Sequence, residues 1–196
     1  MALSSFPDRL SEGLYPVRTR VKGLVGHQPA AVLAPLFQDN SEWFLLFTRR
    51  PVNIGSHSDQ VSFPGGKVEL QDSDLLSTAL RETEEEIGIH QADVRCLGQL
   101  TTFPTGTGYM VTPFVGQIPW PYSLTANPLE VASVFSVPVK WLLSPDNFIR
   151  REKPPQPDLL NLPSIRYKPY RGQVIWGATA WITYELLLHI RKAIES

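Results

Sequence analysis

One stretch says most about this chain of 196 residues: RETEEEIGI at residues 81–89. It places four glutamates within five positions, and such a cluster is repulsive unless a cation or water relieves it. On a helix, Glu82 and Glu86 lie one turn and about 40° apart, with Glu85 beside them. Oxygen ligands that converge in this way suit a hard divalent cation such as Mg²⁺ or Mn²⁺. We therefore predict a metal site on this segment.

The sequence before the glutamates predicts an amphipathic helix. A largely apolar stripe recurs at helical spacing, formed by Leu75, Leu76, Ala79, Leu80, Thr83 and Ile87. Asp72 and Ser73 are the predicted caps at its start, and Gly88 is placed to end it. Most of the carboxylates fall off the apolar stripe, so we expect them to face a site or solvent.

A breaker-rich turn, FPGGK at residues 63–67, lies upstream of this helix and follows the strand-like residues 60–63. Gly65 and Gly66 allow positive φ and a close approach of backbone N–H groups to phosphate. A simple turn is the alternative role for the pair. The order is therefore strand, loop, acidic helix.

These motifs resemble the box of the Nudix hydrolase family. The box runs Gly, five residues, Glu, seven residues, then Arg-Glu-apolar-x-Glu-Glu-x-Gly-apolar. Residues 81–89 match its second half, with Thr83 at an apolar position. Counted from Gly66, the acidic position holds Asp72, and eight residues separate Asp72 from Arg81. The first half of the box is therefore altered.

The coenzyme A pyrophosphatase-like branch of the family tolerates that spacing, and the resemblance to it covers roughly residues 28–190. SFPGG at residues 62–66 and ALRE at residues 79–82 carry it. Of the coenzyme A signature upstream of Phe63, Arg50 is present. Pro51, Gly55 and Asp59 stand where that signature has Ser, Arg and Gly.

The signature arginine replaced by Gly55 is missing, and this weakens the coenzyme A assignment, because the guanidinium group of an arginine suits phosphate oxygens. Arg49, His57 or Lys67 are the available substitutes for it. We also expect Arg50, Lys67 and the Gly65-Gly66 pair to bind the substrate. For Arg50 and Lys67 the alternative is a surface cation over the sheet.

The resemblance implies an α/β/α sandwich with a mixed β-sheet between helices. It places an N-terminal extension at residues 1–27 and a single Nudix domain at residues 28–196, with the box at about 66–89. The sequence pattern is compatible with this order of elements. It predicts a hairpin (30–37 and 43–48), strands (94–102, 111–118, 134–138), a short helix (139–143), a proline-rich excursion with a late hairpin (154–176) and a terminal helix (178–194).

The acidic cluster and the family together suggest the chemistry. Glu82, Glu85 and Glu86 are the predicted ligands of Mg²⁺ or Mn²⁺, and Arg81 is expected to orient Glu85 or Glu82. A general base must reach the attacking water. Glu82, Glu85 and Glu130 remain open for that role.

Composition narrows the class of protein. A net charge of −1 argues against nucleic acid as a partner, and charges interrupt the terminal helix too often for a membrane span. The lone Cys96 and the absence of a visible targeting segment favour the cytoplasm. Analogy with relatives suggests a homodimer.

Three functions remain open. The first is metal-dependent hydrolysis of coenzyme A or acyl-CoA to 3′,5′-ADP and 4′-phosphopantetheine, as the branch implies. The second is hydrolysis of another nucleoside diphosphate derivative, such as ADP-ribose, NADH or a nucleotide sugar. The third is a non-catalytic nucleotide sensor, against which the complete glutamate cluster argues.

Overall fold

The computed structural model describes residues 5–18, 26–52, 59–151 and 164–195. Within these residues the helices are α1 (Phe6–Gly13), α2 (Leu75–Ile87), α3 (Val139–Leu143) and α4 (Gly177–Glu195). The strands are β1 (Gln28–Asp39), β2 (Glu42–Arg49), β3 (Val61–Ser62), β4 (Gly65–Lys67), β5 (Arg95–Gln99), β6 (Phe103–Pro104), β7 (Tyr109–Gln117), β8 (Ser133–Pro138), β9 (Phe148–Arg151) and β10 (Ser164–Tyr167).

A mixed sheet forms the centre of the described structure. Its main path runs β3-β2-β1-β7-β5, while β4 pairs with β1, β6 with β7 and β8 with β2. Strands β1 and β7 are parallel, and the other pairs of this sheet are antiparallel. The predicted first hairpin is confirmed, because β1 and β2 meet with Asp39 opposite Glu42.

Helices cover both faces of the sheet. Side chains alternate between the faces of a strand, so neighbouring residues of β1 pack against different helices. Leu33 packs in a cluster with Leu75 of α2, whereas Ala34 packs in a cluster with Leu186 of α4. The predicted α/β/α sandwich with a mixed sheet is therefore confirmed.

The cap of helix α2 lies one residue after Ser73 and two residues after Asp72, the predicted caps. Its cap is Asp74, whose carboxylate accepts a hydrogen bond from Ser77 N at 2.8 Å, while Asp74 N donates to Ser77 Oγ at 3.0 Å. Asp72 is engaged elsewhere, because it binds Arg81. The predicted end is confirmed: Gly88 adopts φ 74° and its N–H donates to Glu84 O at 2.9 Å.

Helix α1 was not predicted from the sequence. Ser5 and Asp8 form a capping pair at its start, and Leu10 is fully buried against the rest of the fold. Its Arg9 Nε donates to the carbonyl of Ala193 in α4 at 2.8 Å. Helix α1 is short, and one capping pair with a single buried leucine is a weak signal in a sequence.

Most later elements follow the prediction, but the expected excursion was wrong at residues 164–167, which pair as β10 with β9 and bury Tyr167. Strands β5, β7 and β8 and helices α3 and α4 lie where the pattern placed them. Bridges from Arg166 to Trp176 and from Tyr170 to Gln173 form the late hairpin. Residues 154–163 of the proline-rich excursion lie outside the described residues. No helix among the described residues is long and apolar enough to cross a membrane.

Candidate functional site

Three glutamates from two elements converge at the C-terminal end of α2. Glu82 and Glu86 come from consecutive turns of that helix, and Glu130 comes from the loop before β8. Asn127 ties this loop to the helix, because its N–H donates to Glu86 O at 2.9 Å and its carbonyl accepts from Glu130 N at 3.0 Å. One carboxylate oxygen from each glutamate lies within 4.8 Å of the other two.

Glu86 is the most deeply placed member of this cluster. Its side chain is 3% exposed, and Oε2 is buried with no hydrogen-bond partner among the described residues. Burial raises the pKa of Glu86 to about 8, although the charge of Arg50, whose Nη2 is 3.9 Å from Oε1, acts in the opposite direction. The unpartnered oxygen indicates a position that a cation would complete.

Two opposing effects act on the pKa of Glu82. Burial raises the pKa of its carboxyl group, while Arg81, with Nη1 3.0 Å from Glu82 Oε1, lowers it. The repulsion of Glu85 and Glu130 adds to the upward shift. Burial and mutual repulsion therefore favour either protonation of these carboxyl groups or the addition of positive charge.

Arg81 links helix α2 to the turn before it. Its Nε and Nη2 donate to the two oxygens of Asp72 at 2.8 and 3.0 Å, and its Nη1 donates to Glu85 at 2.9 Å. A further bond of 3.2 Å runs from Nη2 to the carbonyl of Lys67. The hydrogen bonds from Arg81 lower the pKa of Asp72 to about 2, so this carboxylate stays charged.

Glu85 does not join the three converging glutamates. Its side chain is 53% exposed and forms an ion pair with Arg81 one turn earlier. Sequence reasoning placed Glu85 in the metal set, with Glu130 as a possible base, whereas the structure brings Glu130 to Glu82 and Glu86. A metal role for Glu85 stays a prediction. Arg81 was expected to orient Glu85 or Glu82, and the structure shows an ion pair from Arg81 to each of them.

The two glycines of β4 permit close approaches that a side chain would block. Gly65 has φ 151°, and a Cβ built there would lie 2.5 Å from Val32 Cα. A Cβ on Gly66 would lie 2.6 Å from Glu82 Oε2. Gly66 is therefore required by the position of the Glu82 carboxylate, whereas Gly65 is required by packing of the sheet.

A pocket of about 660 Å³ adjoins these glycines. Its lining includes all four predicted substrate-binding residues: Arg50, Gly65, Gly66 and Lys67. The lining also includes Thr105 to Thr107, part of the glycine-containing loop for which the sequence left ligand contact and a plain hairpin connection open. A volume of this size is typical of sites for small molecules.

Two aromatic residues of the pocket were missed by sequence reasoning. Tyr109 at the start of β7 and Trp176 just before α4 both line it. They come from distant parts of the chain, and no local pattern separates a pocket aromatic from a core aromatic. The motif around Trp176, WGATA, resembles the family branch and was the available signal.

The three residues that could substitute for the missing arginine of the coenzyme A signature, Arg49, His57 and Lys67, differ in their relation to the pocket. Arg49 Nε donates to Asp59 at 2.7 Å, and Arg49 is not among the residues that line the pocket. Asp59 has φ 63°, a conformation that favours glycine, at the position where the signature has Gly. Lys67 lines the pocket. His57 and Gly55 lie outside the described residues.

The donor set fits a hard divalent cation. All three converging groups are carboxylates, one of them carries a buried unpartnered oxygen, and the pKa values of Glu82 and Glu86 are raised. Oxygen donors of this kind suit Mg²⁺ or Mn²⁺ better than softer metals.

Comparison with known proteins agrees with the geometry. The NUDIX domain family matches residues 27–157. A protein from Photorhabdus laumondii named uncharacterized Nudix hydrolase NudL is 36% identical over 196 residues, covering 97% of this chain and 99% of its own length. Its namesake from Yersinia pestis is 40% identical over 165 residues, covering 80% and 77%.

Solved structures share the fold. A MutT/nudix family protein from Enterococcus faecalis superposes with a TM-score of 0.54 at 13% identity, covering 90% of this chain and 66% of its own. The Nudix hydrolase RenU from M. smegmatis gives a TM-score of 0.51 at 16% identity, covering 60% and 74%. The domain match and the NudL relatives show that the chain belongs to the Nudix hydrolase family and is a pyrophosphohydrolase.

Proposed function

We propose that this enzyme hydrolyses the diphosphate linkage of coenzyme A or an acyl-CoA, releasing 3′,5′-ADP and a 4′-phosphopantetheine fragment. The observation that carries the proposal is the convergence of Glu82, Glu86 and Glu130 beside a pocket that contains Arg50 and Lys67. Carboxylates attract a divalent cation, and the two basic residues attract phosphate. Substrates with a diphosphate satisfy both halves of the site.

Glu82 and Glu86 are the proposed ligands of Mg²⁺ or Mn²⁺, and Glu85 is a further predicted ligand. When bound, the cation offsets the negative charge of the diphosphate and polarises its oxygens. Arg81 holds Glu82 and Glu85 in place through its ion pairs of 3.0 and 2.9 Å. Arg50 and Lys67 bind the outer phosphate oxygens from the pocket.

Glu130 is the proposed general base. Glu82 and Glu85 both form ion pairs with Arg81, which engages their carboxylate oxygens, and Glu86 is enclosed by the fold. Glu130 is exposed and receives a hydrogen bond from Asn127 Nδ2 at 3.1 Å. It accepts a proton from the attacking water and can return that proton to solvent. The water oxygen bonds to phosphorus as the bridging P–O bond breaks, which yields two phosphate monoesters.

A second substrate class is favoured by one observation. Arg49 is paired with Asp59 and does not line the pocket. Its charge is therefore not available there to bind an additional phosphate, such as the 3′-phosphate of coenzyme A. ADP-ribose, NADH and nucleotide sugars lack that phosphate. Hydrolysis of these compounds is therefore the second candidate function.

Product analysis by chromatography separates the candidates. The purified enzyme is offered coenzyme A, ADP-ribose, NADH and nucleotide sugars in parallel with Mg²⁺ or Mn²⁺. Release of 3′,5′-ADP from coenzyme A supports the first candidate, and turnover confined to another compound supports the second. Tight binding of a nucleotide with Mn²⁺ and no turnover of any compound would contradict both and favour a sensor.

The partner, the cellular location and the oligomeric state of the enzyme are expectations. We infer a small nucleotide as its partner from the pocket and the family. A cytoplasmic location is expected from the lone Cys96 and the composition. A homodimer is expected by analogy with relatives alone.

A further inference from the structure

We propose that Trp176 is the stacking wall for the nucleobase of the substrate, so that the pocket holds the nucleoside half of the molecule. This inference rests on the proposed function, because it assumes a nucleotide substrate. It adds a residue that determines which end of the substrate enters the pocket.

Trp176 is exposed to an extent that packing does not explain. Its side chain is 48% exposed although it lines the pocket. The preceding residue, Ile175, is 1% exposed and anchors the segment in the core. A large aromatic surface left open in a pocket is typical of a ligand contact.

The backbone around Trp176 is held firmly. The carbonyl of Trp176 accepts a hydrogen bond from Ala180 N at 3.4 Å, and Trp176 bridges to Arg166. One turn into α4, Thr179 Oγ1 donates to Val61 O of β3 at 2.9 Å. The indole is therefore carried by a segment that is fixed before a ligand arrives, which lowers the entropic cost of binding.

The other two aromatic residues of the pocket are less available for stacking, and Phe63 is only 3% exposed. The amino group of Lys67 lies over the ring of Tyr109, 5.6 Å from its centroid, so one face of this ring already meets a cation. Lys67 is at the same time a predicted phosphate contact. Tyr109 thus belongs with the phosphate-binding side, and Trp176 remains for an uncharged ring.

The charges divide the pocket in the same way. Arg50 and Lys67 are the charged residues among the described lining, which contains no carboxylate. Near Trp176 the lining is formed by Ala178, Thr179 and Ile182 of α4. A neutral flat base fits this end, whereas a second phosphate has no cation to meet there. A flexible pantetheine arm gains from apolar contact but not from stacking on an indole.

Equilibrium binding without metal tests the inference. Tryptophan emission is followed while AMP, adenosine, ribose 5-phosphate or 4′-phosphopantetheine is added in EDTA, and affinities are measured by calorimetry. We expect AMP and adenosine to quench emission at millimolar concentration, and the two compounds without a base to leave it unchanged. Trp176→Ala should weaken AMP binding about tenfold.

Matched variants separate stacking from folding. Trp176→Phe should keep most of the affinity for AMP while losing the quenching, and Trp120→Phe, which alters an indole stacked on Phe37 away from the pocket, should change neither. The inference is overturned if AMP fails to quench, if quenching persists in Trp176→Phe, or if 4′-phosphopantetheine quenches in place of AMP. If the wild type hydrolyses diphosphates but the Trp176→Ala variant binds AMP as tightly as the wild type does, this inference alone is refuted. If AMP binding requires Trp176 but the wild type hydrolyses none of the diphosphate compounds, the proposed function alone is refuted.

Discussion

Arg81 and Asp72 form a two-point ion pair across the turn that precedes α2. The guanidinium donates from Nε to Oδ1 at 2.8 Å and from Nη2 to Oδ2 at 3.0 Å, and the Asp72 side chain is 2% exposed. Asp72 also accepts from Thr78 Oγ1 at 2.8 Å. The pair fixes Arg81 so that its remaining Nη1 reaches Glu82 and Glu85.

Removing the charge of Asp72 should therefore loosen the glutamates. We expect Asp72→Asn to lower kcat/KM about tenfold and the free energy of unfolding by about 2 kcal/mol, because a buried charged hydrogen bond is lost. Steady-state kinetics and urea unfolding measure the two effects. Asp146→Asn, at an exposed aspartate, is the control and should change neither. Unchanged kinetics in Asp72→Asn would show that Arg81 needs no such anchor.

Gly66 should tolerate no side chain without loss of activity. The new Cβ of Gly66→Ala or Gly66→Val would displace the Glu82 carboxylate, which is the mobile end of a side chain, so the fold should adjust. We expect kcat/KM to fall about 100-fold with a much smaller change in melting temperature. Gly13→Ala, whose Cβ would meet only His189 at 3.9 Å, serves as the control. Equal losses of activity and stability in Gly66→Ala would contradict the account.

The metal-free protein should lose stability as pH rises. Burial raises the pKa of Glu86 from 4.5 to about 8 in the folded state. The folded protein thus holds a proton that the unfolded chain releases, and this stability is complete below pH 4.5 and lost as pH rises toward 8. Thermal melts in EDTA between pH 5 and pH 8 should show the decline.

Glu86→Gln should flatten that decline, because the amide cannot ionise, whereas the exposed Glu12→Gln should keep it. Added Mn²⁺ should restore the melting temperature of the wild type at pH 8, since bound metal stabilises the folded state. An identical pH dependence in the wild type and Glu86→Gln would show that Glu86 is not the group responsible.

Glu130 should affect catalysis more than metal binding if it is the base. We expect Glu130→Gln to lower kcat about 100-fold, a loss typical of a missing general base, while the Mn²⁺ concentration for half-maximal activity stays the same. Activity measured against Mn²⁺ concentration checks both. Glu69→Gln, at an exposed glutamate outside the cluster, is the control. A large rise in the Mn²⁺ requirement would instead identify Glu130 as a ligand.

Local patterns predicted the parts of the site that lie on one element. The spacing of Glu82 and Glu86 on α2, and the end of that helix at Gly88, follow from helical periodicity and glycine chemistry. The same periodicity placed Glu85 with them. In the structure Glu85 is exposed and forms an ion pair with Arg81 instead. The position of Arg81 depends on the turn that brings Asp72 to it, which helical periodicity does not predict.

Tertiary contacts decided the rest. The placement of Glu130 depends on Asn127, which fastens the loop to the end of α2 through backbone groups that carry no sequence signal. Trp176 reaches the pocket because α4 packs on the face of the sheet opposite α2. The pairing of Arg49 with Asp59 joins residues ten positions apart, so it was invisible to local patterns.

Turnover of a diphosphate by the wild type and by Glu86→Gln, measured side by side with Mn²⁺, tests the central claim most directly. The account predicts release of two phosphate monoesters by the wild type, and loss of that activity in Glu86→Gln although the variant remains folded. Unchanged turnover by Glu86→Gln would contradict the claim that Glu82 and Glu86 hold the metal for catalysis. No release of monoesters by the wild type from any compound of the panel would contradict the proposed reaction itself.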